Sequence, residues 1–264
     1  MHVWNPGTGH QQDAIATNSL SPVKAVAFSP DGRTLAAGDV SGHIYLWDPA
    51  TGVLRATLTD PGSAQIESAA FSPNGRILAT GDGAGVTYFW DTATGRQRAA
   101  LADPGSKGVD TLAFSPDGTM LATGDYNGTT YLWKIATRTR IRKFPAPFAS
   151  DILSVAFSPA GSTLATGAYD GSTCLWNVTT GGRVAVLNDP GRHVAVETLA
   201  FDPDARILAT GDVNGNTYLW NIRAGRYVQV LPSAGKVWAV GFSANGALLA
   251  VADHDASTDI WRTG

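Results

Sequence analysis

The chain has 264 residues, 44% of them hydrophobic and only 16% charged, with a formal net charge of −3. That length and apolar share suffice for a large core, and the slightly acidic balance gives no electrostatic drive toward nucleic acid. The single cysteine, Cys174, excludes an internal disulfide and permits a reducing compartment. No apolar run approaches the ~20 residues that span a bilayer, and the opening MHVWNPGTGH has neither the basic nor the apolar region of a signal peptide. A cytoplasmic location and no membrane partner are expected. Arginine outnumbers lysine and Ala and Gly are abundant, which points to a GC-rich bacterial source.

Taken in chain order, His2 to Gly9 aligns with Tyr45 to Gly52 and reads as the end of a third strand with its turn, and residues 10–17 as an outer strand. Val23 to Ser29 is a β-like run ended by Pro30-Asp31-Gly32, where Pro presets φ and Gly accepts positive φ. Thr34 to Gly38 is a second run, His43 to Asp48 an alternating third that carries Trp47, and Val53 to Leu58 a fourth, with turns at 39–42 and 49–52. Four short strands joined by tight turns predict an antiparallel meander.

That text then recurs. The first-strand phenylalanines are Phe28, Phe71, Phe114, Phe157, Phe201 and Phe242. Five residues before them stand Val23, Ile66, Val109, Ile152, Val196 and Val237. Tryptophans fall at Trp4, Trp47, Trp90, Trp133, Trp176, Trp220 and Trp261, with gaps of 43, 43, 43, 43, 44 and 41. Nine before the Trp stand Gly38, Gly81, Gly124, Gly167 and Gly211, with Ala252 in the sixth copy. A fixed period of this size predicts stacked units, each burying its apolar face on the next. The units run roughly 18–60, 61–103, 104–146, 147–189, 190–232 and 233–264, with 1–17 as a closing strand, in a single domain over 1–264. Only Trp238 stands off the ladder.

AFSPDG at 27–32, LATG at 78–81, 121–124, 164–167 and 208–211, and the third-strand ends Tyr45–Asp48, Tyr131–Trp133 and Tyr218–Asn221 resemble WD40 repeats over essentially the whole chain. The resemblance implies an all-β propeller of four-stranded antiparallel blades. It also implies a hydrogen-bonded tetrad of His, Ser/Thr, turn Asp and Trp, which this sequence keeps only in part. The Gly-His positions read Ser19, Gly62, Gly105, Phe148, Arg192 and Ser233, with His193 one place off. The turn Asp survives at Asp170 and Asp255. Thr80, Thr123, Thr166 and Thr210 persist, so an indole N–H to threonine bond is expected in those blades.

Another acid recurs eight before the Trp, at Asp39, Asp82, Asp125, Asp212 and Asp253, with Ala168 breaking the series. Three readings apply: capping of its own turn, acceptance of N–H bonds from the DPGS or DPGR loops at 60–63, 103–106 and 189–192, or a ring of carboxylates for a cation or basic partner. On strand count, residues 10–17 complete the sixth blade and close a six-bladed ring. The alternative is part of a seven-bladed ring, with Trp4 the remnant of an absent unit. A closed ring predicts a monomer and a missing blade predicts a dimer. The six ladder tryptophans from Trp47 to Trp261 are expected to be buried.

No catalytic or phosphate-binding motif and no metal-ligand spacing is present in the sequence, so no cofactor, metal or catalytic residue is expected. Asp253-His254-Asp255 lacks the pattern of a Ca²⁺ loop and reads as a turn. Lys134, Arg138, Arg140, Arg142 and Lys143 read as a charged outer edge. The resemblance places recognition on one propeller face. Carried over position by position, Lys24, Glu67, Asp110, Glu197 and Trp238 stand four before the Phe, Asp151 and Lys236 two earlier, and Tyr126, Tyr169 and His254 in the turn. The expected function is a non-catalytic protein- or peptide-binding scaffold, the acids favouring a basic or amphipathic peptide. The alternatives are a regulatory or sensor region of a larger bacterial kinase or NTPase, and a propeller enzyme.

Overall fold

The computed structural model describes residues 2–4, 11–14, 21–103, 105–147, 150–190, 194–255 and 257–263, with side chains from residue 21 onward. Its local logic starts at the first turn of each repeat. Ser29 Oγ donates to Asp31 Oδ1 at 2.6 Å and accepts the Thr34 N–H at 2.9 Å, while Arg33 N–H donates to Asp31 at 3.0 Å. Gly32 closes the turn at φ 68°. Ser72-Asn74-Gly75, Ser115-Asp117-Gly118 and Ser243-Asn245-Gly246 repeat the device. In the fifth copy Asp202 replaces the serine and accepts from Arg206 and Ile207 N–H, and Ala205 takes the left-handed place at φ 56°.

These turns join strands β1 (His2–Trp4), β2 (Gln11–Ala14), β3 (Val23–Phe28), β4 (Leu35–Asp39), β5 (His43–Asp48), β6 (Val53–Thr59), β7 (Ile66–Phe71), β8 (Ile77–Asp82), β9 (Val86–Asp91) and β10 (Gln97–Ala102). They continue as β11 (Val109–Phe114), β12 (Met120–Asp125), β13 (Thr129–Lys134), β14 (Thr139–Pro145), β15 (Ile152–Phe157), β16 (Thr163–Ala168), β17 (Ser172–Asn177) and β18 (Arg183–Asn188). The last are β19 (Val196–Phe201), β20 (Ile207–Asp212), β21 (Asn216–Asn221), β22 (Arg226–Pro232), β23 (Val237–Phe242), β24 (Leu248–Asp253) and β25 (Thr258–Arg262). The fold is an all-β propeller of six antiparallel blades, and no helix occurs among the described residues. The chain divides into two compact units, residues 1–109 and 110–264.

Within each unit the core lies between successive sheets. Ile44, Leu58, Ile66, Leu78, Tyr88 and Trp90 form one cluster in the first unit. Leu175, Leu187, Leu199, Leu208 and Trp220 form another in the second. The seam explains two sequence columns at once. A Cβ on Gly38 would lie 2.3 Å from Ile66 Cγ2, on Gly124 2.4 Å from Ile152, and on Gly211 2.4 Å from Val237. The glycine is absence of volume: each first-strand aliphatic seats over the bare backbone of the preceding blade. Fully burying such an aliphatic contributes about 2–3 kcal/mol.

Among the described residues the strand expected to complete the sixth blade pairs within the N-terminal segment. Gln11–Ala14 is a strand, but it pairs with His2–Trp4 in a two-stranded sheet, and β23–β24–β25 is three-stranded. A local hairpin closes a short loop, which costs less chain entropy than a long-range pairing. Positions 10 and 15–17 of that expected strand lie outside the described residues, as do Phe148, Arg192 and His193. A correction follows in the sixth blade. Trp47, Trp90, Trp133, Trp176 and Trp220 are buried, but Trp261 is only partly so.

Candidate functional face

The carried-over residues come from two columns, the turn after the second strand and the approach to the first strand. A backbone bond brings the columns together. The N–H groups of Val40, Gly83, Tyr169, Val213 and His254 donate to the carbonyls of Pro22, Gln65, Asp151, Ala195 and Lys236 at 2.8–3.2 Å. Each turn is thereby tied to the start of its own blade's first strand, and the side chains of both columns share an edge of the blade.

In the second unit this edge carries Trp238, which is 51% exposed. Lys236 Nζ sits 3.9 Å from the Trp238 ring centroid, and the His254 ring stacks on the indole at 6.1 Å and 29°. Lys236 also pairs with Glu197 at 2.8 Å. The indole is therefore a fixed, half-open surface flanked by a cation and an imidazole, a geometry in which cation–π attraction restrains the side chain. Tyr169 is 62% exposed. The Tyr126 hydroxyl donates to Asp110 Oδ1 at 3.1 Å.

Several of the acids expected on this face are engaged by neighbours. In the first unit Lys24 Nζ meets Glu67 Oε2 at 2.6 Å, Gln65 donates to the other oxygen, and Glu67 is buried. Glu197 is matched by Lys236 and Asp110 by Tyr126, so most of the acid is satisfied by neighbours. Lys24–Glu67 joins adjacent copies of one repeat position and Lys236–Glu197 joins neighbouring positions of adjacent copies, which a linear reading of charges does not reveal.

The recurrent aspartates cap their own turns. Asp39 Oδ1 accepts Ser41 and His43 N–H, Asp82 accepts Ala84 and Val86, and Asp125 accepts Asn127 and Thr129. Asp212 accepts Asn214 and Asn216 in the same way, and Asp253 accepts Asp255 and Ser257. All five are buried, so they present no open carboxylate ring. The Ser257 hydroxyl first, then these N–H groups, hold Asp253 below the usual carboxylate range. The loop bond expected of this series is present at Asp253, which the Ala234 N–H also helps to hold, and within the first loop Asp60 Oδ2 accepts the Ala64 N–H at 2.7 Å. Among the described residues no group of three or more metal-ligating side chains converges.

The Trp–Thr half of the tetrad is present. The indole N–H groups of Trp90, Trp133, Trp176 and Trp220 donate to Thr80, Thr123, Thr166 and Thr210 at 2.9–3.1 Å. The family model of the IFT122 first beta-propeller matches residues 22–264. The chain belongs to that family. Its members' propeller is of the WD40 type, and the tetrad remnant is the local sign of it here. A chain in the crystal structure of the mitotic checkpoint complex superposes with a TM-score of 0.89 over 99% of this chain and 81% of that one, at 24% identity, a likeness of fold. No curated protein matches the sequence.

The basic outer edge is partly engaged. Arg142 donates to the carbonyls of Val178 and Thr179, and Arg140 lies 5.2 Å from the Tyr131 ring centroid. Two participants escaped the sequence reading: Asp60, and Tyr88, whose hydroxyl approaches it. Their signals were the DPGS loop and the tyrosine two residues before the Trp.

Proposed function

We propose that the chain is a non-catalytic scaffold that binds a protein or peptide on the blade edge carrying Trp238, Lys236, His254, Glu197 and Tyr169. The observation that carries this reading is the half-open Trp238, clamped between Lys236 and His254. Large aromatic side chains that are ordered before binding lose little entropy on contact and serve as anchors. The presence of a propeller of this fold in the mitotic checkpoint complex supports a scaffold role. The arginine-rich, Ala- and Gly-rich composition supports a bacterial source, and the lone buried Cys174 a reducing cytoplasm.

The test is affinity capture from lysate of the source organism with the intact chain, the Trp238→Ala variant and an outer-edge control, Arg183→Ala. Captured partners should be lost with Trp238→Ala and retained with the control. Purified partner should also protect Trp238 from N-bromosuccinimide oxidation. Equal capture by all three proteins refutes the assignment of this edge.

A further inference from the structure

Two carboxylates meet at the seam between the first two blades. Asp60, the residue after β6, and Asp82, the last of β8, are both buried. Asp60 Oδ2, Asp82 Oδ2 and the Tyr88 hydroxyl lie 3.3, 3.9 and 3.7 Å from the place a Cβ would take on Gly62. Gly62 thus leaves the space into which all three polar groups project. Asp82 Oδ1 is occupied by two backbone N–H groups and Asp60 Oδ2 by one. Asp82 Oδ2 and Asp60 Oδ1 are buried with no hydrogen-bond partner among the described residues.

Among the described residues no lysine, arginine or histidine pairs with either acid. The groups facing the pair are each other and Tyr88, whose one O–H serves Asp60, so the remaining orphaned oxygens gain a donor only if a carboxyl is protonated. Two buried like charges without a counterion are costly, and one of them is neutralised instead.

We propose that Asp60 and Asp82 hold one proton between them, making the 60–65 loop a proton-operated latch. A comparable pair stands in the second unit, where Asp189 is buried near Asp212 and Tyr218 and neither of its oxygens has a hydrogen-bond partner among the described residues. Burial first, and the Asp60 charge after it, raise Asp82 above the usual carboxylate range; burial and Asp212 raise Asp189 to about 7. The latch touches the candidate face, because the same loop supplies the Gln65 carbonyl to Gly83 and the Gln65 amide to Glu67.

The sign follows from linkage. The folded chain keeps protons on Asp82 and Asp189 that the unfolded chain releases above about pH 4, so these two groups stabilise less as pH rises toward their raised folded values. Unfolding in that window should release about one proton per pair. Asp82→Asn puts an amide N–H₂ where the proton sits while keeping Oδ1 for Ala84 and Val86.

The experiment measures thermal unfolding of the wild type and Asp82→Asn from about pH 5 to about pH 8. ¹³C-carboxyl NMR of the wild type at neutral pH runs beside it. The expected result is a variant that melts no lower than wild type at the upper end, with a flatter pH dependence. One carboxyl carbon of the pair should resonate as an acid. An unchanged pH slope with lower melting throughout overturns the proposal, as do two ionised carbon shifts. So does stabilisation of wild type, but not the variant, by added Ca²⁺ or K⁺, because the pair would then hold a cation. The NMR measurement decides the matter even where the variant does not fold.

Discussion

The fifth and sixth blades share one repeat pattern and end differently. In the fifth, β22 covers β21: Tyr227 packs edge-on against Trp220 at 5.7 Å and 82°, and Leu219 is 6% exposed. In the sixth no strand follows β25 in the sheet among the described residues, and Ile260, the counterpart of Leu219, is 47% exposed. The indole of Trp220 donates to Thr210. Val251 stands in that place in the sixth blade, and Trp261 Nε1 is buried without a partner among the described residues. The same Trp at the same period is a core anchor or a half-covered side chain according to its neighbouring strand.

Truncation breaks the comparison hardest. Trp220→Ala should destabilise the protein by about 3–5 kcal/mol in denaturant unfolding, and Trp261→Ala by roughly half of that or less. Equal losses would mean that the missing cover does not matter. Next comes the seam. Gly211→Ala drives a methyl into Val237 and should cost about 1–3 kcal/mol, whereas Gly241→Ala, with nothing within 4 Å, should stay within about 0.5 kcal/mol.

The tetrad remnant offers a reciprocal exchange. Thr210→Val should lose about 1 kcal/mol by orphaning an indole N–H, and Val251→Thr should recover about 0.5–1 kcal/mol by giving Trp261 an acceptor. Thermal unfolding of both variants checks the pair. The smallest effect is expected at the fifth blade's turn, where Ala205 holds a left-handed backbone that Gly75 and Gly246 hold elsewhere. Ala205→Gly should stabilise by up to about 1 kcal/mol, measured as a rise in melting temperature.

Much of this was legible because the repeat is its own alignment. The columns headed by Phe28, Val23, Gly38 and Trp47 announced blades, and Thr80, Thr123, Thr166 and Thr210 announced the indole bonds. What the columns could not say is which of them touch. Gly38 and Ile66 are 28 positions apart and belong to different repeats, yet the glycine exists for the isoleucine. Glu67 and Glu197 read as open charge because their lysine partners lie a repeat away. Trp238 was visible as the odd tryptophan, but Lys236 and His254 become its clamp only once the sheet sets them beside it.

The sequence by itself determined the blade: its period, strand order, turn chemistry and apolar face follow from local φ preferences and side-chain alternation within each repeat. Tertiary structure alone decided which tryptophans are covered, which acids are neutralised and where Asp60 meets Asp82. Burial and electrostatics depend on what lies across a seam, and that distance is set in space and not along the chain.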